Sequence, residues 1–415
     1  MSVYFERYAY TNQLIDEGPS PRLGMVVTIP CFDEPELTKC LASLAYCHPG
    51  RMDVEVIVVI NHSENASKAV KERNRITYTE ALEFSRLHHS QHLRFHIIFK
   101  ELPSRHAGVG LARKIAMDEA ARRLDWVNKP DGIITCFDAD SICLDNYILV
   151  LQHFFDRYPK SPGCSIYFEH PIQGEFDPDI YKAITDYELF LRYYVHALRY
   201  AGFPHAYQTI GSSMAVRNNI YQKQGGMNKR KAGEDFYFLH KIIPLGNFGE
   251  INKTMVIPSP RKSDRVPFGT GKAVNDWIHK KALYTYHLNI FKDLNDFYTK
   301  LNLVRDYNQL INKWLGVLPK SMVEFGSAVE LHSNVARIRQ NSGGIDSFVS
   351  NFHKWFDGFK VLKYVHFARD HFYPSIPINE AARTLLELTN KADPAKSSRE
   401  LLEIYRSMDR SSAGL

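Results

Sequence analysis

The N-terminal part of the chain is punctuated by four short apolar runs. Met25-Val-Val-Thr-Ile-Pro30, Asp53 to Ile60 (DVEVIVVI), Arg94 to Phe99 and Ile133 to Phe137 are rich in β-branched and aromatic residues and too short for core helices. They predict four buried strands. Between them lie stretches with helical spacing. Glu34 to Tyr46 puts Leu37, Leu41 and Leu44 on one face. Ala66 to His89 is long and charged, with a break near Thr77, and a third stretch opens at His106-Ala-Gly108-Val-Gly110 and runs to Trp126. Strands alternating with helices predict an α/β fold with a mainly parallel sheet and right-handed crossovers.

Beyond Asp140 the pattern loosens. Asn146 to Tyr158 reads as a helix, Gly163 to Phe168 as a strand and Asp179 to Tyr200 as a long aromatic-rich helix. Gly211 to Val216 predicts a short strand, Asp235 to Ile243 a helix and Thr254 to Pro258 a further strand. Pro260 to Lys272, dense in Arg, Lys, Gly and Pro, reads as a loop. From about Asn275 onward only helical patterns are seen, Tyr284 to Val304 and Ala328 to Ile338 among them, with a charged terminal helix from about Ala392. The expected organisation is a polar arm over 1–22, an α/β domain over 23–290 and a helical region over 291–415.

Composition narrows the class. The 415 residues suffice for about two domains, and 44% hydrophobic with 24% charged residues is ordinary for a soluble globular protein. The net charge of +6, from 52 basic and 46 acidic residues, is too mild to argue for nucleic acid, but suits an anionic small molecule or a membrane surface. Six cysteines without a CxxC pair read as reduced structural thiols. No run is apolar for about 20 residues and the N-terminus is too polar for a signal peptide. The sequons at Asn61 and Asn65 are then chance, and the expected location is the cytoplasm, the inner membrane face included.

The chemistry concentrates at strand ends. Asp138-Ala139-Asp140 follows the fourth apolar run, at the sheet end where ligands of open α/β folds sit. Paired carboxylates beside an apolar strand are costly unless neutralised, and a divalent cation completed by water and substrate phosphates is an economical solution. A turn with two solvated acids is the bland alternative. The first strand runs into Pro30-Cys31-Phe32-Asp33-Glu34-Pro35, with no GxGxxG after it, which counts against a dinucleotide-dependent oxidoreductase. Asp33 and Glu34 either accept hydrogen bonds from a nucleoside or favour the next helix through its dipole. Gly108-Val-Gly110, with Arg113 and Lys114 after it, either cradles a pyrophosphate or marks close loop packing. Gly233-Glu234-Asp235 opens a helix, and Asp235 there suits a carboxylate that takes a proton from an attacking hydroxyl. Arg261, Lys262, Arg265 and Lys272 form a basic run fit to clamp a phosphate-bearing substrate.

Taken in order, these pieces resemble the family 2 glycosyltransferases of the GT-A fold. Ile29-Pro30-Cys31-Phe32-Asp33-Glu34 is similar to the family's opening strand and acidic turn, and Phe137-Asp138-Ala139-Asp140-Ser141 to its DxD motif. Gly211-Ser-Ser-Met-Ala-Val-Arg217, Gly225-Gly226 and Gly233-Glu234-Asp235 are similar to its acceptor-side strand, double glycine and ED motif. The resemblance spans roughly residues 23 to 275. It implies a nucleotide-diphospho-sugar donor and a divalent metal, manganese or magnesium. Asp140 would hold the metal, with Asp138 sharing it or lying near the ribose. Pro30, Asp33, Glu34, Asn61, Arg113, Ala139 and Arg265 would line the nucleotide-sugar site. Asp235 would be the general base for inverting displacement, with Glu234 beside it positioning the acceptor.

Two departures qualify this. Asn61 ends the second strand where many relatives carry an Asp, and no QxxRW-type motif of processive synthases follows. A single addition to a glycan, lipid-linked or small-molecule acceptor fits better, in glycan or polysaccharide biosynthesis. One rival is a phosphatase or phosphotransferase of the haloacid dehalogenase type, whose DxD normally ends the first core strand rather than the fourth. A nucleotidyltransferase would want a basic glycine-rich loop after strand one. A catalytically inactive scaffold sits poorly with intact Asp138, Asp140 and Asp235.

Overall fold

The computed structural model describes residues 2–263, 269–306, 316–391 and 397–411. The chain divides into two compact units. The first takes Met1–Ile184, Thr209–Ile278 and Arg406–Leu415, and the second takes Thr185–Gln208 and His279–Tyr405.

The first unit is built on an eight-stranded sheet. Its strands are β1 (Leu23–Cys31), β2 (Asp53–Ser63), β3 (Leu93–Leu102), β4 (Ile133–Cys136), β5 (Ser141–Cys143), β6 (Gly163–Phe168), β7 (Met214–Arg217) and β8 (Gly249–Pro258), in the order β3-β2-β1-β4-β7-β6-β8-β5. The first four pair in parallel. β7 runs against both β4 and β6, β8 is parallel to β6, and β5 lies antiparallel on β8. The four apolar runs are therefore strands, as expected. β1 and β4 are buried along their whole length, as central parallel strands covered on both faces must be. β3, at the edge, is half-buried.

Its helices are α1 (Val3–Arg7), α2 (Leu37–Ala45), α3 (Lys68–His88), α4 (Val109–Trp126), α5 (Tyr147–Arg157), α6 (Pro178–Tyr200), which continues into the second unit, α7 (Asn218–Lys223), α8 (Glu234–Ile242) and α9 (Thr270–Lys280). α3 runs unbroken through Thr77, because that side chain faces inward and its hydroxyl donates to the Glu34 carbonyl at 2.9 Å. The loop expected to reach Lys272 ends sooner, at the start of α9.

α4 departs most from its sequence. Arg113, Lys114, Asp118, Glu119 and Arg123 are all buried, and each is paired, as buried charge requires. Part of that pairing comes from the N-terminal arm, which is built into the domain. Tyr4 Oη donates to Asp118 at 2.5 Å, the Tyr10 amide donates to the same carboxylate at 2.9 Å, and the Leu14 and Ile15 amides donate to Glu119 at 3.1 and 3.2 Å. The arm is polar in composition, and its backbone amides supply what the helix needs.

The second unit is helical. Its core is aromatic, with Phe297, Phe325, Phe352, Phe356 and Tyr364 buried together. A left-handed Glu330 (φ 52°) separates the helix Lys320–Ala328 from Leu331–Gln340, so the single helix expected over Ala328 to Ile338 is the second of two. Tyr284–Thr285 and Ile376–Pro377 pair as a two-stranded antiparallel ribbon, too short to leave a periodicity in the sequence. Among the described residues no helix is long and apolar enough to cross a membrane.

Candidate active site

β1 and β4 are adjacent and parallel, so their C-terminal ends deliver Glu34 and Asp138 to one edge of the sheet. Between them and the acids of α8 stands Arg113. Its guanidinium is 2% exposed; Nη2 donates to Asp138 Oδ1 at 2.6 Å, and Nη1 donates to Glu234. Gly211 lies over this guanidinium, where a methyl group would come within 2.6 Å of Nη1. Burial opposes the charge on Arg113, but the carboxylates of Asp138 and Glu234 outweigh it and hold the pKa above its ordinary value.

Glu234 opens α8 after a left-handed Gly233 (φ 69°) and is buried. Burial lifts its pKa to about 7, with the neighbouring charges of Asp235 and Asp138 adding to the rise and Arg113 opposing it. Asp235 is half-buried and also raised, chiefly by desolvation and against the pull of Arg113; its Oδ1 accepts from the Phe236 amide at 2.7 Å. The two acids titrate as a pair. A carboxylate pair whose proton affinity is lifted towards neutrality at a helix start can take up a proton from a bound hydroxyl.

At the other side of the site Glu34, 1% exposed, is gripped by both terminal nitrogens of Arg261. Arg261 Nη2 also lies 3.4 Å from Asp140 Oδ2. Among the described residues of the basic run read from the sequence, only Arg261 is placed at the acids. Lys272 pairs with Asp276 inside α9 at 2.5 Å, and Arg265 lies outside the described residues.

The remaining expected residues are placed differently. Asp33, in the left-handed region (φ 54°), faces α3, where Arg73 clasps its carboxylate and the Asn74 side chain accepts its amide at 2.9 Å. Asn61 is buried, and its amide nitrogen donates to the Cys31 carbonyl at 2.9 Å; Asn74 Nδ2 donates in turn to the Asn61 carbonyl at 2.7 Å. Asn61 thus ties β1 to β2. Pro30 and Ala139 are buried. Lys114 turns away from the site to Asp118, 3.1 Å away. Gly110 meets the loop before α8 so closely that a methyl group there would overlap the Arg230 carbonyl oxygen, so this glycine serves loop packing. Asn74 and Arg73 escaped sequence reading because a charged helix gives no sign of which polar residues face inward.

The donor set can be tested against a divalent cation. Asp138 and Asp140 are 38% and 29% exposed at the strand end, and among the described residues no three His, Cys, Asp or Glu side chains converge to cage a metal. Two accessible carboxylates fit a hard cation that takes its other ligands from substrate oxygens and water.

Residues 26–222 match the family model described as glycosyl transferase family 2. No curated protein matches the chain. Among solved structures, that of S. aureus TarS 1-349 in complex with UDP-GlcNAc aligns at 12% identity over 94% of this chain and 91% of that chain, with a TM-score of 0.38. The UDP complex of the same protein aligns at 13% identity with the same coverage and TM-score.

Proposed function

The chain is a glycosyltransferase whose residues 26–222 belong to family 2, and from this premise we propose that it moves one sugar from a nucleotide-diphospho-sugar to an acceptor hydroxyl, with inversion and with a divalent metal, in glycan or polysaccharide synthesis. The observation that carries the reading is the bridge made by Arg113 from Asp138 to Glu234, which puts the acids of the DxD strand end and of the ED helix in one site.

In this reading Asp138 and Asp140 hold the cation. When bound, manganese or magnesium would neutralise charge on the departing diphosphate. Glu34 and the β1 turn line the nucleoside side, and Arg261, 3.4 Å from Asp140, supplies a cation for the diphosphate. Asp235 takes the proton from the acceptor hydroxyl. Glu234, fixed by Arg113, stands beside Asp235 and orients the acceptor, while burial raises the proton affinity of Asp235. Arg113 itself is engaged through Nη1 and Nη2 by two carboxylates, so it acts by holding them in place. Inversion by single displacement rests on the family 2 likeness and on Asp235 as the base. The reading also places the protein in the cytoplasm or at the inner membrane face, and keeps the boundary near residue 290 as the end of the catalytic domain.

The test is a thermal-shift panel of UDP, GDP, CDP and dTDP with and without manganese, because a ligand that binds only the native state raises Tm. Manganese-dependent stabilisation by one nucleotide is the expected result. A flat response to all four, with and without manganese, overturns the donor-site reading.

A further inference from the structure

We propose that Cys47 and Cys143 form a modification site, a thiol pair that peroxide closes into a reversible disulfide, and that the bond controls the strand end carrying Asp138 and Asp140. All six cysteines are free thiols, and these two sulfurs lie 3.7 Å apart. Cys143 ends β5, three residues after Asp140, and Cys47 lies in the turn after α2.

The pair belongs to a longer seam. Cys40, Ser43 and Cys47 follow one another at helical spacing along α2 and its end. Cys40 Sγ donates to the Asp138 carbonyl at 3.6 Å, Ser43 Oγ accepts the Cys143 amide at 3.4 Å, and Cys47 meets Cys143. One helix edge therefore supports the segment from Asp138 to Cys143, and a covalent bond at the end of this edge acts on the whole of it.

The two thiols are unequal, which sets the order of reaction. Cys47 is half-buried and reachable, and its pKa is lowered, first by the hydrogen bond from Cys143 and then, against burial, by the amides of Ile148 and Tyr147 at the start of α5. Cys143 is 9% exposed and its pKa is raised by the same partner and by burial. Thiolate and access make Cys47 the nucleophile. Its sulfur attacks one peroxide oxygen; the O–O bond breaks, Cys47 becomes a sulfenic acid and one water leaves. Cys143 sulfur then attacks Cys47 sulfur; the S–S bond forms, the S–O bond breaks and a second water leaves. The two thiols lose two electrons in all, and hydrogen peroxide is reduced to two waters. A thiol reductant restores the pair by exchange.

The test uses the full-length protein, fully reduced and then exposed to hydrogen peroxide, with thiols counted and peptides mapped without reductant. The expected result is the loss of two thiols of the six, one cross-linked peptide joining Cys47 to Cys143, and a several-fold fall in manganese-dependent nucleotide binding that dithiothreitol reverses. Cys143→Ser should stop at a sulfenic acid on Cys47 that dimedone traps, and Cys47→Ser should keep both its binding and its remaining thiols. Retention of all six thiols, a bridge to another cysteine, or cross-linking with unchanged nucleotide binding would each overturn the proposal. The peptide map does not depend on sugar transfer, so failure of the donor-site reading shows separately, as reduced protein that binds no nucleotide.

Discussion

Arg113 and Asp138 meet at 2.6 Å inside the domain, and the same guanidinium holds Glu234, so one cation joins acids 96 residues apart in the chain (234 minus 138). Removing it leaves two carboxylates facing each other without compensation. Breaking a buried ion pair costs about 3–5 kcal/mol, so Arg113→Ala should lose that much in urea unfolding and lose transfer altogether. Arg113→Lys keeps the charge but cannot reach both acids, and should keep more stability than Ala while still losing activity.

The acid pair makes the enzyme sensitive to pH near neutrality. The Glu234 pKa is about 7 in the folded protein and 4.5 in its ordinary state. Between these values the folded state binds more protons than the unfolded one. The contribution is therefore fully present below 4.5 and is lost as pH rises through about 7. Urea midpoints should fall from pH 5 to pH 8, and Glu234→Gln should flatten that slope. Transfer should show an acidic limb above the ordinary carboxylate range, because burial raises the pKa of Asp235 and the charge of Asp138 adds to the rise.

Asp140 and Asp235 should separate binding from chemistry. Asp140→Asn should abolish manganese-dependent nucleotide stabilisation. Asp235→Asn should keep that stabilisation and lose at least about a hundredfold in kcat, the usual contribution of a general base. Loss of nucleotide binding in Asp235→Asn would place that residue on the donor side.

Gly110 tests whether loop packing matters to the site. A methyl group there collides with the Arg230 carbonyl, in the loop that leads to Glu234. Gly110→Ala should cost about 1–3 kcal/mol and lower kcat, with nucleotide-induced shifts in Tm retained.

Tyr4→Phe should also destabilise. Asp118 collects hydroxyl donors from Tyr4 at 2.5 Å and Tyr221 at 2.6 Å. Deleting one from a buried carboxylate costs about 1–3 kcal/mol, read as a lower urea midpoint, with catalytic constants unchanged at low temperature.

Much of this architecture was legible in the chain. The four parallel strands announced themselves because strands covered on both faces must be apolar throughout, and Gly163–Phe168 was a strand with the expected ends. The positions of the acids, after the end of β4 and at the start of α8, were legible because charge next to an apolar run stands out. What periodicity could not convey is partnership. α4 looks solvated by composition, yet its buried charges are matched by residues from the arm, β2 and α8. Arg113, a candidate for a pyrophosphate in the sequence, is placed between Asp138 and Glu234, and nothing local distinguishes a cation facing solvent from one facing two carboxylates. β5, three residues long, fell below any pattern, although it follows Asp140 directly and carries Cys143.

The docking of the arm on α4 also bears on the order in which the protein takes shape. Tyr4 and Asp118 are 114 residues apart, and Ile15 and Glu119 are 104 apart. Synthesis delivers the arm before its partners, which exist only once three strands and α4 have been made. Closing so long a loop carries an entropic cost that is met before its contacts return anything, and contacts between residues this distant in sequence slow folding. Residues made before α4 are thus among the last to find their places.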